Sequence, residues 1–415
     1  MIFKKTLDNG LQLVLEQDTN AKTITCQYTI AVGSLDEIGS YKGDNNFGIY
    51  HIIEHMVFKG TDKRNYDDIN NDIAAIGGRT NAYTTCSSTN FYISSPAEKW
   101  RENLEILSDI VWNASLKDEE FQKERQVIIE ELKMYDDDPK ERCFEQLSIM
   151  MNPHDESRQR IAGTIDSVKK ITIEQVREFK KQWYVANNAS LFVSGNVDFD
   201  ELVKEVEQLS IPVGNIEERA LTYNQEIFNN RLMRSSQNDI SQAHFAFAIK
   251  GLNINDPDFI VQELLTDLLG NGFTSILYDI IREQLGLAYT VSVSEYAMRD
   301  AAYLYGYCGL DAENIDKAHK VIVRELNKLK RELIPQKRLD ILKAEYKGHT
   351  LLALETTASK ISIHEQNFIF HTNKTIDSIL QEVEKVTVED IRRIARKIFN
   401  KKNICFSIVE PRKEV

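Results

Sequence analysis

Two histidines and a glutamate fall within the stretch GIYHIIEHMVFKGT, residues 48–61, of a 415-residue chain that holds only eight histidines. If residues 46–58 are helical, His51 and His55 are four apart and stand one above the other on one face, the spacing two imidazoles need to grip one metal ion. Glu54 lies on the neighbouring edge. A carboxylate there can take a proton from water that a metal has made acidic, with a pKa brought down toward roughly 7.

The order H-x-x-E-H reverses the more familiar H-E-x-x-H of zinc hydrolases and still sets the carboxylate beside a ligand histidine. A catalytic zinc needs a third protein ligand from another element. The pattern over residues 117–135, KDEEFQKERQVIIEELKMY, predicts a helix on which Glu124, Ile128, Glu131 and Tyr135 form one stripe beside Phe121 and Leu132. Glu130 points about a quarter turn away. Carboxylates on an apolar stripe are costly to bury unless paired or metal-bound, which makes both Glu124 and Glu131 candidates.

The elements that must carry these groups are legible in outline. Asp8, Asn9 and Gly10 read as a hairpin turn between two alternating strands and break up any signal-peptide run, so nothing marks the chain for export. KTITCQYTIAVG (22–33) alternates as a strand, NFGIYHIIEHMVF (46–58) follows as a helix, and NYDDINNDIAAIGG (65–78) is a second helix ended by a glycine pair. TNAYTTCSSTNFYISS (80–95) returns to strand, and two amphipathic helices follow, the second closed before Pro139. Residues 212–230 lose the pattern and read as a linker.

The second half repeats the first: strand at 241–251, helix at 256–270, strands at 287–297 and 301–310, then helices from 312. We therefore expect an α+β protein of two homologous domains, each a mostly antiparallel sheet with helices packed on it. The boundaries expected are 1–212 for the catalytic domain, 213–230 for the linker and 231–415 for the second domain. Composition agrees with a globular chain: 42% hydrophobic residues, and no apolar run of the roughly 18 residues a membrane span requires. A net charge of −13, without a basic stripe, disfavours nucleic acid. Five cysteines, scattered singly, argue against a cysteine zinc site or disulfide scaffold and suit a reducing, cytoplasmic setting.

These residues resemble the pitrilysin and mitochondrial-processing-peptidase metallopeptidases, whose mark is H-x-x-E-H followed by a zinc-binding glutamate about 76 positions after the second histidine. From His55, 76 positions lead to Glu131, one of the two glutamates on the stripe. HMVFKGT, GGRTNAYT and ERQVIIEELKMYDDDP look like the family's sequences around its site. The resemblance implies that His51, His55 and Glu131 hold Zn2+, that Glu54 is the general base, and that Glu124 supports a ligand histidine. Asn81 and Ala82 match the edge strand along which family substrates lie as an added strand, and Phe58 and Tyr83 match positions near the cleaved bond.

GNGFTSILYDIIREQLGLAYTVSV (270–293) is similar to the family's C-terminal signature, with an arginine and a tyrosine seven apart, here Arg282 and Tyr289. The resemblance implies that they donate hydrogen bonds to the substrate carbonyl as it becomes an oxyanion. It implies half of a clamshell, closed by a homodimer, and a zinc-dependent endopeptidase acting on extended or precursor peptides. A non-catalytic partner subunit of a larger complex is the alternative, since relatives that lost their metal ligands serve as scaffolds. The sequence departs from the family at Tyr50, where a small residue is usual, and around His154, to which no role is assigned. The remaining histidines (His244, His319, His349, His364, His371) read as structural or surface residues.

Overall fold

The turn at Asp8–Gly10 joins β1 (Ile2–Thr6) to β2 (Gln12–Gln17) as the expected antiparallel hairpin, and Gly10 has φ 93°, a left-handed conformation open to glycine. The computed structural model describes residues 1–37, 46–151, 160–214, 216, 230–297 and 302–412. After the hairpin come β3 (Thr23–Ile30), α1 (Ile49–Val57), α2 (Tyr66–Ala75), β4 (Arg79–Thr84) and β5 (Thr89–Pro96). Helices α3 (Trp100–Trp112), α4 (Asp118–Asp137), α5 (Pro139–Met151), α6 (Ile165–Lys170) and α7 (Ile173–Trp183) lead to β6 (Ala189–Gly195) and α8 (Phe199–Glu207).

The second half runs β7 (Arg231–Gln237), β8 (Ala243–Lys250), α9 (Phe259–Gly270), a π-helical turn (Tyr278–Gln284), β9 (Ala288–Ala297) and β10 (Ala302–Leu310). It closes with α10 (Ile315–Arg331), α11 (Gln336–Leu352), α12 (Thr357–Phe370), α13 (Ile376–Lys385), α14 (Val388–Ile398) and β11 (Ile404–Pro411). The protein is thus α+β with two sheets. Their orders are β1-β2-β6-β3-β5-β4 and β7-β11-β8-β10-β9. Apart from β1 the two match strand for strand, including one parallel pair in each, β2 with β6 and β7 with β11. The internal duplication read from the sequence is carried by topology.

The chain separates into two compact units that do not follow it continuously. One contains residues 1–132, 159–220 and 352–373, and the other residues 133–158, 221–351 and 374–415. The contiguous division at 212 and 231 therefore differs from the units at α5 and α12. Most of the linker expected at 213–230 lies outside the described residues.

The exchange has a physical cause in the sheet faces. In β3, Ile24, Cys26, Tyr28 and Ile30 point into the helix-covered core of the first unit. Thr25, Gln27 and Thr29 alternate to the other face yet are also buried, so that face needs a cover that can satisfy polar groups. Helix α12 supplies it: Thr357 Oγ1 is 2.8 Å from Thr25 Oγ1, Glu365 accepts from Gln27, and His364 Nε2 is 2.8 Å from Glu16 Oε2. Ile361 and Phe368 pack with Val14 and Phe192.

In the second unit α5 does the same service, setting Cys143, Leu147, Met150 and Met151 against Ala246, Ala248, Tyr303 and Val409. Gln146 hydrogen-bonds both Ser235 and Ser407. On the other side of that sheet, Glu263 and Asp267 of α9 and Glu295 of β9 form a carboxyl cluster, with the Tyr346 hydroxyl 3.3 Å from Glu263 Oε2. Burial pushes the Glu263 carboxyl up to about 7 against the pull of Lys374, and burial with repulsion from Glu263 pushes that of Glu295 up to about 8.

Candidate metal centre

Helix α1 is shorter than the 46–58 expected from sequence because a glycine turns the chain into it. Gly48 has φ 95°, and a Cβ there would meet the Ala162 carbonyl oxygen at 2.5 Å. Its N–H donates to Glu37 Oε2 at 2.8 Å and that of Tyr50 donates to Glu37 Oε1 at 3.2 Å, so a buried carboxyl satisfies two amides at the start of the helix. Burial pushes the Glu37 carboxyl well above its usual range against these hydrogen bonds. Ile49, Ile52, Ile53 and Met56 bury the apolar side of α1. Tyr50, the departure from the family pattern, is fully buried and meets Phe179 edge to face at 5.8 Å.

The opposite side of α1 presents His51 and His55, their rings 4.6 Å apart. Helix α4 brings Glu131 to both: Glu131 Oε2 is 3.9 Å from His51 Nε2 and 3.8 Å from His55 Nε2. Those separations are too long for hydrogen bonds. They approach the roughly 3.4 Å at which two ligands stand around a tetrahedral zinc with bonds of about 2.1 Å. Among the described residues this is the one group of three candidate ligand atoms gathered within 4.8 Å.

The protonation states suit a metal. Burial, and then the neighbouring His55, push His51 down to about 4 despite the opposing pull of Glu131, so its imidazole is neutral at physiological pH with a lone pair to give. Its Nδ1 is buried without a partner among the described residues. His55 is differently held, with Nδ1 3.2 Å from Glu124 Oε2 and Lys59 Nζ 2.7 Å from Glu124 Oε1. Burial works against ionisation of Glu124, but the bonds from His55 and Lys59 outweigh it and hold the carboxyl below its ordinary value. An ionised Glu124 only accepts, so His55 carries its proton on Nδ1 and turns the lone pair of Nε2 toward Glu131. Two imidazoles and a carboxyl group, each offering an atom toward the others, fit zinc.

Glu54 stands beside this set. Thr84 Oγ1 donates to its Oε2 at 2.6 Å, and burial raises its carboxyl above the usual value against that bond. The sequence reading of the centre missed Glu37, Lys59 and Thr84. Lys59 had a signal, being one helical turn beyond His55, whereas Glu37 and Thr84 come from separate elements.

The other predicted residues fall as follows. Strand β4, with Asn81, Ala82 and Tyr83, is the last strand of its sheet, and no strand pairs with its outer edge among the described residues. Ala82 packs toward the core, while Asn81 and Tyr83 turn to the opposite face. Phe58 ends α1, partly buried against the core and 6.3 Å from the Phe91 ring.

In the second unit Arg282 sits on the π-helical turn, whose i to i−5 bond from Leu285 N to Ile280 O is 3.1 Å. Its guanidinium lies 4.8 Å from the ring centres of both Tyr278 and Tyr289, and the Tyr289 side chain is 77% exposed. The structure thus brings the Arg282 and Tyr289 pair together. His154 lies outside the described residues. His244 pairs with Tyr307 and His319 packs on Phe406, structural places as expected.

A duplicated α+β fold whose first copy holds an inverted His-x-x-Glu-His helix completed by a glutamate defines the pitrilysin-like class. The chain belongs to peptidase family M16. The family model described as "Insulinase (Peptidase family M16)" matches residues 12–165, and that described as "Peptidase M16 inactive domain" matches residues 170–346. The chain is 28% identical over 415 residues to the "Uncharacterized zinc protease YmxG" of Bacillus subtilis (strain 168), covering 99% of this chain and 98% of the relative. Among solved structures it is similar to a protease from Helicobacter pylori, with TM-score 0.91, 23% identity and 99% of each chain covered. It is also similar to a chain of complex III2 from Candida albicans, with TM-score 0.83, 17% identity and coverage of 99% and 96%. Both structural likenesses speak for the fold alone. No helix among the described residues is long and apolar enough to cross a membrane.

Proposed function

We propose that the protein is a zinc endopeptidase that binds peptides as an added strand along β4 and hydrolyses one bond with water, Glu54 acting as general base. The observation that carries this reading is Glu131 Oε2 standing 3.9 Å from His51 Nε2 and 3.8 Å from His55 Nε2, with the Glu54 carboxyl near enough to feel both His55 and Glu131. Zinc in this set would polarise the attacking water and the peptide carbonyl. Glu54 then takes the proton of the water and passes it to the leaving amine, while Thr84 fixes the carboxylate and Glu124 fixes the ring of His55. The open edge of β4 around Asn81 and Ala82 offers main-chain groups to an extended peptide, which would take the Ala82 N–H from the Asn81 side-chain oxygen it now meets at 3.0 Å. Phe58 and Tyr83 flank that track.

Arg282 and Tyr289, on an exposed patch, are assigned to the oxyanion of a second copy's site in a homodimer. The five unpaired cysteines favour a reducing, cytoplasmic compartment. A non-catalytic partner subunit is the competing reading, since the family model that matches residues 170–346 is described as an inactive domain. One experiment separates them: metal analysis of the purified protein together with cleavage of a peptide library. The peptidase reading expects one zinc per chain, cleavage abolished by a chelator, and a Glu54→Gln variant that keeps zinc while kcat falls about 10²–10⁴-fold. A zinc-free protein at saturating supply, or a Glu54→Gln variant retaining more than about a tenth of the rate, overturns it.

A further inference from the structure

We infer that Glu365 of α12 is a positioning residue for peptide binding, holding Tyr83 as the wall of a subsite on the sheet face opposite the metal centre. The inference rests on the peptidase reading and adds the selectivity of its track. Three elements meet at one oxygen: Tyr83 Oη of β4 donates to Glu365 Oε2 at 2.5 Å, and Gln27 Nε2 of β3 donates to the same atom at 2.9 Å. The cluster continues inward, since Gln27 Nε2 also reaches Thr29 Oγ1 at 3.1 Å and Thr29 donates to Asn90 Oδ1 at 2.7 Å.

The strand register fixes which face this is. Tyr83 pairs with Asn90, and Asn90 with Thr29, so all three lie on the face covered by α12. Thr84 pairs with Thr89 and turns its hydroxyl the other way, to Glu54. Adjacent residues of β4 therefore serve opposite faces. A peptide added to the edge of β4 alternates likewise, because side chains along a strand point to the two faces in turn. Substrate residues on the α1 face meet the Thr84 and Glu54 side, and their immediate neighbours turn to Tyr83.

Tyr83 as a residue is 36% exposed, so it has surface left for a ligand. With the phenol tied to Glu365 the ring cannot swing off the edge, and it offers an apolar face to the substrate side chain that arrives there. The chemical class expected at that subsite is an apolar side chain, at alternate positions of the peptide only. Glu365 lies 282 residues from Tyr83 and 338 from Gln27, so no local motif announces it.

The test uses zinc-loaded full-length protein and a peptide series in which leucine replaces alanine at each position around the cleaved bond. Glu365→Ala and Tyr83→Phe should each raise KM about 3–10-fold, the range expected for one lost hydrogen bond, and only for peptides with leucine at every second position. The double variant should be no worse than the worse single one, and Glu365→Gln, whose amide oxygen still accepts from the phenol, should restore most of the loss. Tyr83→Phe keeps the packing, so the test stands even if Glu365→Ala folds poorly. Equal KM changes at both sets of positions, additive effects in the double variant, or KM unaltered in Tyr83→Phe while the unmodified protein cleaves normally would each overturn the inference alone. An unmodified protein that cleaves none of the peptides overturns the peptidase reading and this inference with it.

Discussion

Thr84 Oγ1 lies 2.6 Å from Glu54 Oε2, and since an ionised carboxylate only accepts, the threonine hydroxyl is the donor. The bond ties the edge strand β4 to the helix that carries both histidines. In the proposed peptidase a peptide lying on β4 would thereby be referenced to Glu54, and the strand that binds it would also aim the base.

Replacing Thr84 by valine keeps the shape and removes the donor. Hydrogen bonds to charged groups contribute about 1.5–3 kcal/mol, so kcat should fall roughly 10–100-fold while zinc content stays at one per chain. Steady-state kinetics with metal analysis measures both, and an undiminished kcat removes Thr84 from the machinery.

The chain from Lys59 through Glu124 to His55 should govern metal affinity more than chemistry. Glu124→Gln leaves shape but no longer favours the Nδ1 proton of His55, and zinc affinity should fall about 10–100-fold. Lys59→Met, which touches His55 only through Glu124, should cost less. Glu131→Gln should lose zinc outright under the same dialysis. Competition with a zinc-binding dye ranks the three, and a Glu131→Gln variant that holds full zinc disproves the ligand assignment.

If Arg282 and Tyr289 serve the site of a second copy, two crippled variants should rescue each other. Co-expressed Glu54→Gln and Arg282→Ala chains pair at random, half the dimers are mixed, and each mixed dimer has one complete site. Activity should recover to roughly a quarter of the unmodified protein. Activity no higher than the two variants give separately means that the arginine acts in its own chain or not at all.

The carboxyl cluster of the second unit sets a direction for stability against pH. Glu263 at about 7 and Glu295 at about 8 hold protons in the folded state that the unfolded chain, with carboxyls near an ordinary value of about 4.3, has already released. The unfolded state therefore binds fewer protons across that window, and stability falls as pH rises from about 5 to 8. Melting curves at pH 5.5, 7 and 8.5 should show this fall in the unmodified protein and a shallower one in a Glu263→Gln, Glu295→Gln double variant. Parallel curves would mean that the cluster releases its protons without cost.

The candidate metal centre was legible because its parts obey short-range rules. His51, Glu54 and His55 sit on one nine-residue helix, and the stripe on α4 narrowed the third ligand to Glu124 or Glu131 before the family spacing chose between them. The strand order could be expected only as a repeat, since alternation marks a strand without naming its neighbours. What escaped the sequence reading was built from distant pieces. Gln27, Thr25 and Thr29 are the polar positions of an alternating strand, and nothing near them says that α12, more than 300 residues later, covers them. Glu37 escaped for a similar reason: a glutamate at the end of the short helical turn Ser34–Glu37 gives no sign that it will end up under α1.

The exchange of α5 and α12 bears on how the chain is made. As the protein leaves the ribosome, the whole sheet of the first unit, β1 to β6, is complete by residue 195, but the face that α12 covers stays open until Thr357–Phe370 emerges. At about 5–20 residues per second the gap of some 160 residues lasts roughly 8–30 seconds, long on the scale of strand pairing. For that interval Thr25, Gln27 and Thr29 are solvated rather than buried, which a row of polar side chains tolerates and an apolar row would not. The polar row of β3 thus keeps most of that face compatible with water while the half-made protein waits for its last third, with Val14 and Phe192 as its apolar exceptions.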